Sequence, residues 1–152
     1  MPEKPSQIPK IILRRYQDND YPAVLSLWAE AELPYKPAGR DSRANLKSQS
    51  RQPQIFFLVA ESEGKLIGTV VGTHDSRKGW INRLAVARNH RRQGLARRLI
   101  EEAERHLSRL GIEIFACLIE EGNSVSMDVF ERLGYKRHPE IVYFTKRKSE
   151  DT

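Results

Sequence analysis

Leu95, Leu99, Ala103, Leu107 and Leu110 recur at steps of three or four residues, and Gly111 follows the last of them. This spacing lines the five side chains along one stripe of an α-helix, and a glycine just past the end is a common stop. Such a helix holds its shape where the stripe is buried against another layer. The preceding sequence supplies that layer. Residues 56–61, 66–73 and 80–86 are short apolar segments, divided by Ser62-Glu63-Gly64-Lys65 and Asp75-Ser76-Arg77-Lys78-Gly79. Both dividers carry the residues that tight hairpins require, which predicts three antiparallel strands.

The other elements follow from the same patterns. Residues 11–15 suit a first strand. Asp18-Asn19-Asp20 offers cap oxygens and Pro22 fits an early helical turn, so residues 20–31 read as a helix with Val24, Leu27, Trp28 and Ala31 inward. Residues 33–40 hold two prolines and a glycine and form a loop, and residues 42–49 a more polar helix. Residues 112–119 are apolar almost throughout, as in a strand covered on both faces. Asn123 or Ser124 caps another helix with Met127, Phe130 and Leu133 inward, ended by Gly134, and residues 141–144 read as a last strand. The order β-α-α-β-β-β-α-β-α-β predicts a mixed α/β sheet with helices on its faces.

A chain of 152 residues fits one domain, and 39% hydrophobic with 30% charged residues describes a soluble globule. Residues 1–10 contain three prolines and no apolar stretch, so they read as a flexible leader rather than a signal peptide. Residues 11–148 then form the domain and 149–152 a tail. No apolar run approaches the roughly 20 residues that cross a bilayer. The single cysteine, Cys117, lies in an apolar run and reads as a small core residue, which suits the cytoplasm. His74, His90, His106 and His138 lack metal-ligand spacing, so no metal is expected.

The net charge of +6 is concentrated: residues 76–100 hold eight Lys or Arg and no acid. Such a field attracts anions. Within it, the strand at 80–86 enters Arg88-Asn89-His90-Arg91-Arg92-Gln93, and Gly94 opens the long helix at Leu95. A helix start has unpartnered N–H groups and a positive dipole end, Gly94 lets an anion approach the backbone, and Ala96 stays small. With Arg91, Arg92, Arg97 and Arg98 around it, the turn reads as a pyrophosphate cradle. No Gly-Lys-Ser/Thr follows, as a P-loop requires, and the glycine pattern of a dinucleotide fold is missing. A glycine turn among solvated arginines has the same spacing, so the residues alone leave both readings open.

Ile81-Asn82-Arg83-Leu84-Ala85-Val86 followed by Arg91-Arg92-Gln93-Gly94-Leu95-Ala96 resembles motif A of the GNAT superfamily of acyl-CoA N-acetyltransferases, whose pattern is Gln/Arg-x-x-Gly-x-Gly/Ala. Asn123 with Phe130-Glu131-Arg132-Leu133-Gly134-Tyr135 resembles its second signature. The likeness covers residues 11–146 and is nearest to small YpeA-type bacterial and archaeal members. It implies a GNAT fold: a mixed, mostly antiparallel sheet splayed between strands 4 and 5, with helices on both faces. It also implies acetyl-CoA as acyl donor. Leu84, Ala85 and Val86 would pair with the pantetheine arm, and backbone amides from Arg92 through Arg97 would hold the pyrophosphate. Asn123 either reaches the arm or simply caps its helix.

The implied reaction is direct attack of a neutral amine on the thioester, with a base to take the proton. Phe130 stands where many members carry a tyrosine that protonates the thiolate, so the acid is left to another group, of which Tyr143 is one candidate. Glu32 and Glu120 are the base candidates, and Trp28 and Tyr35 the candidates to line the acceptor beside the 33–41 loop. The acceptor is a protein lysine, an N-terminus or a small-molecule amine, and a homodimer through C-terminal edge strands is a further expectation. The competing readings are a catalytically silent acyl-CoA sensor, for which Phe130 speaks, and a basic nucleic-acid-binding module. Against the latter, the arginines are not interleaved with aromatics and no reader motif is present.

Overall fold

The computed structural model describes residues 9–152; the expected leader falls largely outside these residues. The elements are β1 (Ile11–Arg15), α1 (Tyr21–Glu30), α2 (Arg43–Ser50), β2 (Ile55–Ser62), β3 (Lys65–His74), β4 (Gly79–Val86), α3 (Leu95–Arg109), β5 (Phe115–Ala116) and α4 (Ser124–Arg132), with 3-10 turns at Asp18–Asp20 and Arg88–His90. They form one five-stranded sheet in the order β1-β2-β3-β4-β5. The first four strands are antiparallel neighbours and β5 runs parallel to β4.

The continuous apolar run of β2 is explained by cover on both faces. Phe56, Leu58 and Ala60 join the core under α3, while Phe57 and Val59 join the core under α1 and α2. Side chains alternate across a strand, so each face collects every second residue. On one side α3 buries Leu95, Leu99, Ile100, Ala103 and Leu107. Phe130 of α4 belongs to the same cluster. On the other, α1 buries Val24, Leu27 and Trp28. Gly68 and Gly79 allow α3 its close approach: a Cβ at Gly79 would meet Leu107 Cδ1 at 2.7 Å, and one at Gly68 would meet Leu99 Cδ1 at 3.0 Å. Both helix starts predicted from Ser42 and Asn123 are real caps, Ser42 Oγ accepting from Asn45 N and Asn123 Oδ1 from Ser126 N.

Two expectations fail at the C-terminal side. The strand expected over residues 112–119 is paired only at Phe115–Ala116, and Ile114 and Leu118 are exposed. The strand expected at residues 141–144 does not form, and Ile141, Val142, Tyr143 and Phe144 all stand in solvent. A turn closed by Ile141 N donating to His138 O at 3.2 Å precedes residues 141–144, which pair with no strand among the described residues. That leaves β5 as an edge without an outer neighbour. Near the C-terminus, Arg40 N donates to Asp151 O at 3.2 Å.

Candidate active site

Most of the candidate cofactor-binding residues lie where β4 leaves the sheet. β4 and β5 are registered only through Gly79–Phe115 and Trp80–Ala116, with Gly79 N donating to Ile114 O at 2.8 Å. Among the described residues, Ile81 to Val86 has no partner on that side, so the sheet opens along the rest of β4. An irregularity on the other side accentuates this. Thr69 pairs with Ala85 and Val71 with Asn82, so β4 carries one residue more than β3 over that interval. This is a β-bulge, and Arg83 within it has a left-handed backbone at φ 53°. Leu84, Ala85 and Val86, the expected contacts of a pantetheine arm, follow directly.

The bulge is held from beneath. Trp28 Nε1 donates to Thr69 Oγ1 at 3.0 Å, and that hydroxyl donates to the Arg83 carbonyl at 2.8 Å. Trp28 is only 1% exposed, so it belongs to the core and offers no surface to an acceptor, contrary to its place among the expected acceptor-lining residues. Tyr35 is half-buried in the loop. The Arg83 guanidinium lies over the Trp28 ring, and its Nη2 donates to both oxygens of Asp41, each at 2.9 Å. Burial holds its pKa below the ordinary value, opposed by the Asp41 charge.

Beyond Val86 the chain makes the 3-10 turn Arg88–His90 and enters α3. Arg98 N, bonded to Gly94 O at 3.1 Å, is the first amide of α3 to find a partner. The N–H groups of Arg92, Gln93, Gly94, Leu95, Ala96 and Arg97 make no hydrogen bond among the described residues. Arg92 at φ 61° and Gly94 at φ 78° are both left-handed, the alternation that gathers successive N–H groups into an anion-binding hollow. No heavy atom lies within 4 Å of an ideal Cβ at Gly94, so the glycine answers first to its left-handed backbone and leaves open space above it. Arg91 adds a contact that residue patterns could not show: its Nε donates to Val86 O at 3.1 Å, taking a carbonyl expected to serve the arm. The residues present fit a diphosphate: unpaired amides, open space and exposed arginines of one sign.

The remaining candidates are dispersed. Asn123 is engaged through Oδ1 as a helix cap, and its Nδ2 has no partner among the described residues. Phe130 is buried and meets Tyr135 edge-on with ring centroids 4.9 Å apart. Tyr135 donates to Glu104 Oε1 at 3.0 Å, so its hydroxyl is committed. Tyr143 lies exposed on the unpaired segment. Glu32, on a left-handed residue at φ 58°, and Glu120 are exposed with no side-chain partner among the described residues. Glu30 instead accepts from Arg88 N at 3.1 Å, fastening the end of α1 to the turn after β4. Burial pushes the Cys117 thiol up to about 11, which suits a packed thiol and not a nucleophile. No group of three or more His, Cys, Asp or Glu side chains that could hold a metal occurs among the described residues.

A sheet split beside a helix start rich in free amides defines an acyl-CoA-binding transferase architecture, and the comparisons agree. The Acetyltransferase (GNAT) family profile matches residues 20–135. An acetyltransferase of Photorhabdus laumondii subsp. laumondii is 31% identical over 136 residues, 89% of this chain and 94% of that protein. The chain belongs to the GNAT acetyltransferase family and is an acyltransferase. Among solved structures, the aminoglycoside N-acetyltransferase AAC(6')-Iy in complex with CoA aligns with a TM-score of 0.76 at 16% identity, covering 93% of this chain and 98% of that one. The PaiA N-acetyltransferase of Thermoplasma acidophilum, in complex with coenzyme A, aligns at 0.73 with 21% identity, covering 84% and 90%. Both share the fold.

Proposed function

We propose that this protein transfers an acetyl group from acetyl-CoA to a primary amine by direct attack, in the cytoplasm. The observation that carries the reading is the run of unbonded amides from Arg92 to Arg97 beside the open length of β4. In this reading those amides hold the diphosphate, and Arg91, Arg92 and Arg97 add charge around it. Leu84, Ala85 and Val86 line the pantetheine arm, with Arg91 releasing Val86 O as the arm arrives. Asn123 and the ring of Phe130 bound the arm from the α4 side. The acceptor amine, from a protein or a small molecule, enters beside Tyr35 and the loop before α2. Glu32 and Glu120, both exposed and uncommitted, are the two candidates for the carboxylate that takes the proton. Aminoglycoside acetyltransferases among the structural neighbours favour a small polycationic amine as the first acceptor class to try. A second copy of the chain pairs through the C-terminal apolar segment.

The test is calorimetric acetyl-CoA binding together with thiol release in the presence of amines. Gly94→Glu puts a like charge in the hollow and a side chain on a left-handed residue, and should remove acetyl-CoA binding while circular dichroism still shows a folded protein. Undiminished affinity in that variant would end the reading. Replacing the true base by glutamine, at Glu32 or Glu120, should lower turnover by about 10²-fold or more without changing acetyl-CoA affinity.

A further inference from the structure

The loop between α1 and α2 and the bulge in β4 are far apart in sequence, yet one ion pair joins them. Asp41 is 4% exposed and is the centre of its loop. Its Oδ2 accepts from Lys36 N at 2.7 Å, its own N–H donates to Lys36 O at 2.9 Å, and its carbonyl accepts from Tyr21 OH at 2.9 Å. Arg83 reaches into this knot through both terminal nitrogens, Nη2 donating to both Asp41 oxygens and Nη1 to Pro34 O. Arg40 also approaches Asp41, through a longer 3.4 Å contact from a more exposed side chain.

At the other end, the Arg83 backbone is left-handed without being glycine. Such a backbone is strained and persists when its surroundings hold it there. Here the holders are the Thr69 hydroxyl on its carbonyl, Trp28 beneath its guanidinium, and Asp41. A planar guanidinium can hold the carboxylate through one nitrogen, the Pro34 carbonyl through the other and still lie flat over an indole, which a lysine ammonium cannot do. Removing either charge strands the other in a poorly solvated place.

We propose that Asp41 and Arg83 are positioning residues whose ion pair ties the loop of residues 33–41 to the β4 bulge, setting the amine side of the site against the point where the acyl group is delivered. The proposal rests on the donor reading of β4. Neither residue performs chemistry; the pair converts the strained backbone ahead of Leu84 into a fixed place for the loop. Donor binding along Leu84–Val86 therefore stiffens the loop, and loosening the loop relaxes the bulge.

The experiment compares the full-length protein with Arg83→Met, Arg83→Lys and Asp41→Asn by hydrogen exchange of peptides covering residues 33–41 and 82–86, with and without acetyl-CoA. Arg83→Met and Asp41→Asn should each speed exchange in both segments by about tenfold while β2 keeps its protection, as expected of a local opening. Acetyl-CoA should slow exchange of the loop in the native protein and lose that effect in both variants. With sisomicin and spermidine as amine probes, the variants should raise the amine KM about tenfold and the acetyl-CoA KM by less, Arg83→Lys falling between. Faster exchange in one segment alone, or a loop that responds to acetyl-CoA equally in the variants, overturns the proposal. A native protein that binds no acetyl-CoA would instead defeat the donor reading, while concerted exchange of the two segments still decides whether the pair couples them.

Discussion

Phe130 is the residue whose chemistry bears most directly on the missing general acid. Its ring is buried in the core under α3, edge-on to Tyr135. Phe130→Tyr adds one hydroxyl to a packed neighbourhood whose other phenol is already bonded to Glu104. If the position faces the departing thiolate, the new hydroxyl should raise kcat for thiol release several-fold, with acetyl-CoA affinity nearly unchanged, by the logic of a group that acts only in the transition state. A change confined to affinity would show that the ring does no more than line the arm. Residue type made this departure legible, because a phenyl group has no proton to give. Neither Asp41 nor the left-handed Arg83 was legible in the same way. An aspartate in a loop and an arginine in a basic strand look like solvated charges until the fold brings residues 41 and 83 together.

Among the elements, the ones written in local patterns were found almost to the residue. α1, α2, β2, β3 and β4 lie within about a residue of their expected ends, which is the usual scatter of helix and strand boundaries. The misses are the elements that depend on a distant partner. An apolar run over residues 112–119 shows that the segment wants cover, and says nothing of whether an outer strand will provide it. The bulge in β4 was equally hidden, since an extra residue is defined only against β3. The linkage of β1 to the turn before α1 gives a prediction at this scale. Arg14 of β1 makes paired hydrogen bonds to Asp20, both at 2.8 Å, and also reaches Glu61 of β2. Burial by itself would raise the Asp20 pKa, but the Arg14 hydrogen bonds and that from Gln17 N outweigh it and hold the carboxyl below its usual range. A carboxylate depressed in the folded state adds stability above its unfolded pKa, near 4 for aspartate, and loses it as pH falls through the folded value. Asp20→Asn should therefore cost about 1 kcal/mol near neutral pH, a modest figure because Arg14 is partly solvated. The gap to the native protein should narrow in denaturant titrations carried out below about pH 4. A gap independent of pH would mean that packing, and not the charge, is what Asn fails to replace.

For the molecule as a whole, the charged face and the apolar face lie at different places along the chain, and each calls for a partner. The arginines around α3 make a positive field of the kind that attracts anions. The C-terminal side has the opposite character: Ile141, Val142, Tyr143 and Phe144 are exposed consecutively, Phe144 by 86%, and β5 leaves Ile114 and Leu118 bare at an open sheet edge. Among the described residues no helix is long and apolar enough to cross a membrane, so no spanning helix accounts for this surface. An edge strand offers unsatisfied N–H and C=O groups, and an apolar run of four residues is enough to add a strand to it. At about 25 cal/mol per Å² of apolar surface, covering side chains of this size offers a few kcal/mol before the cost of association. The expected outcome is a dimer in which residues 141–144 of each copy lie along the β5 edge of the other. Light scattering after size exclusion should report twice the chain mass. Val142→Asp and Phe144→Asp should each shift the population to monomer, because an exposed carboxylate is harmless on a free segment and costly in a strand interface. If the native protein stays monomeric at every concentration and hydrogen exchange shows residues 141–144 protected all the same, the segment has closed on its own β5, and the edge serves folding rather than assembly.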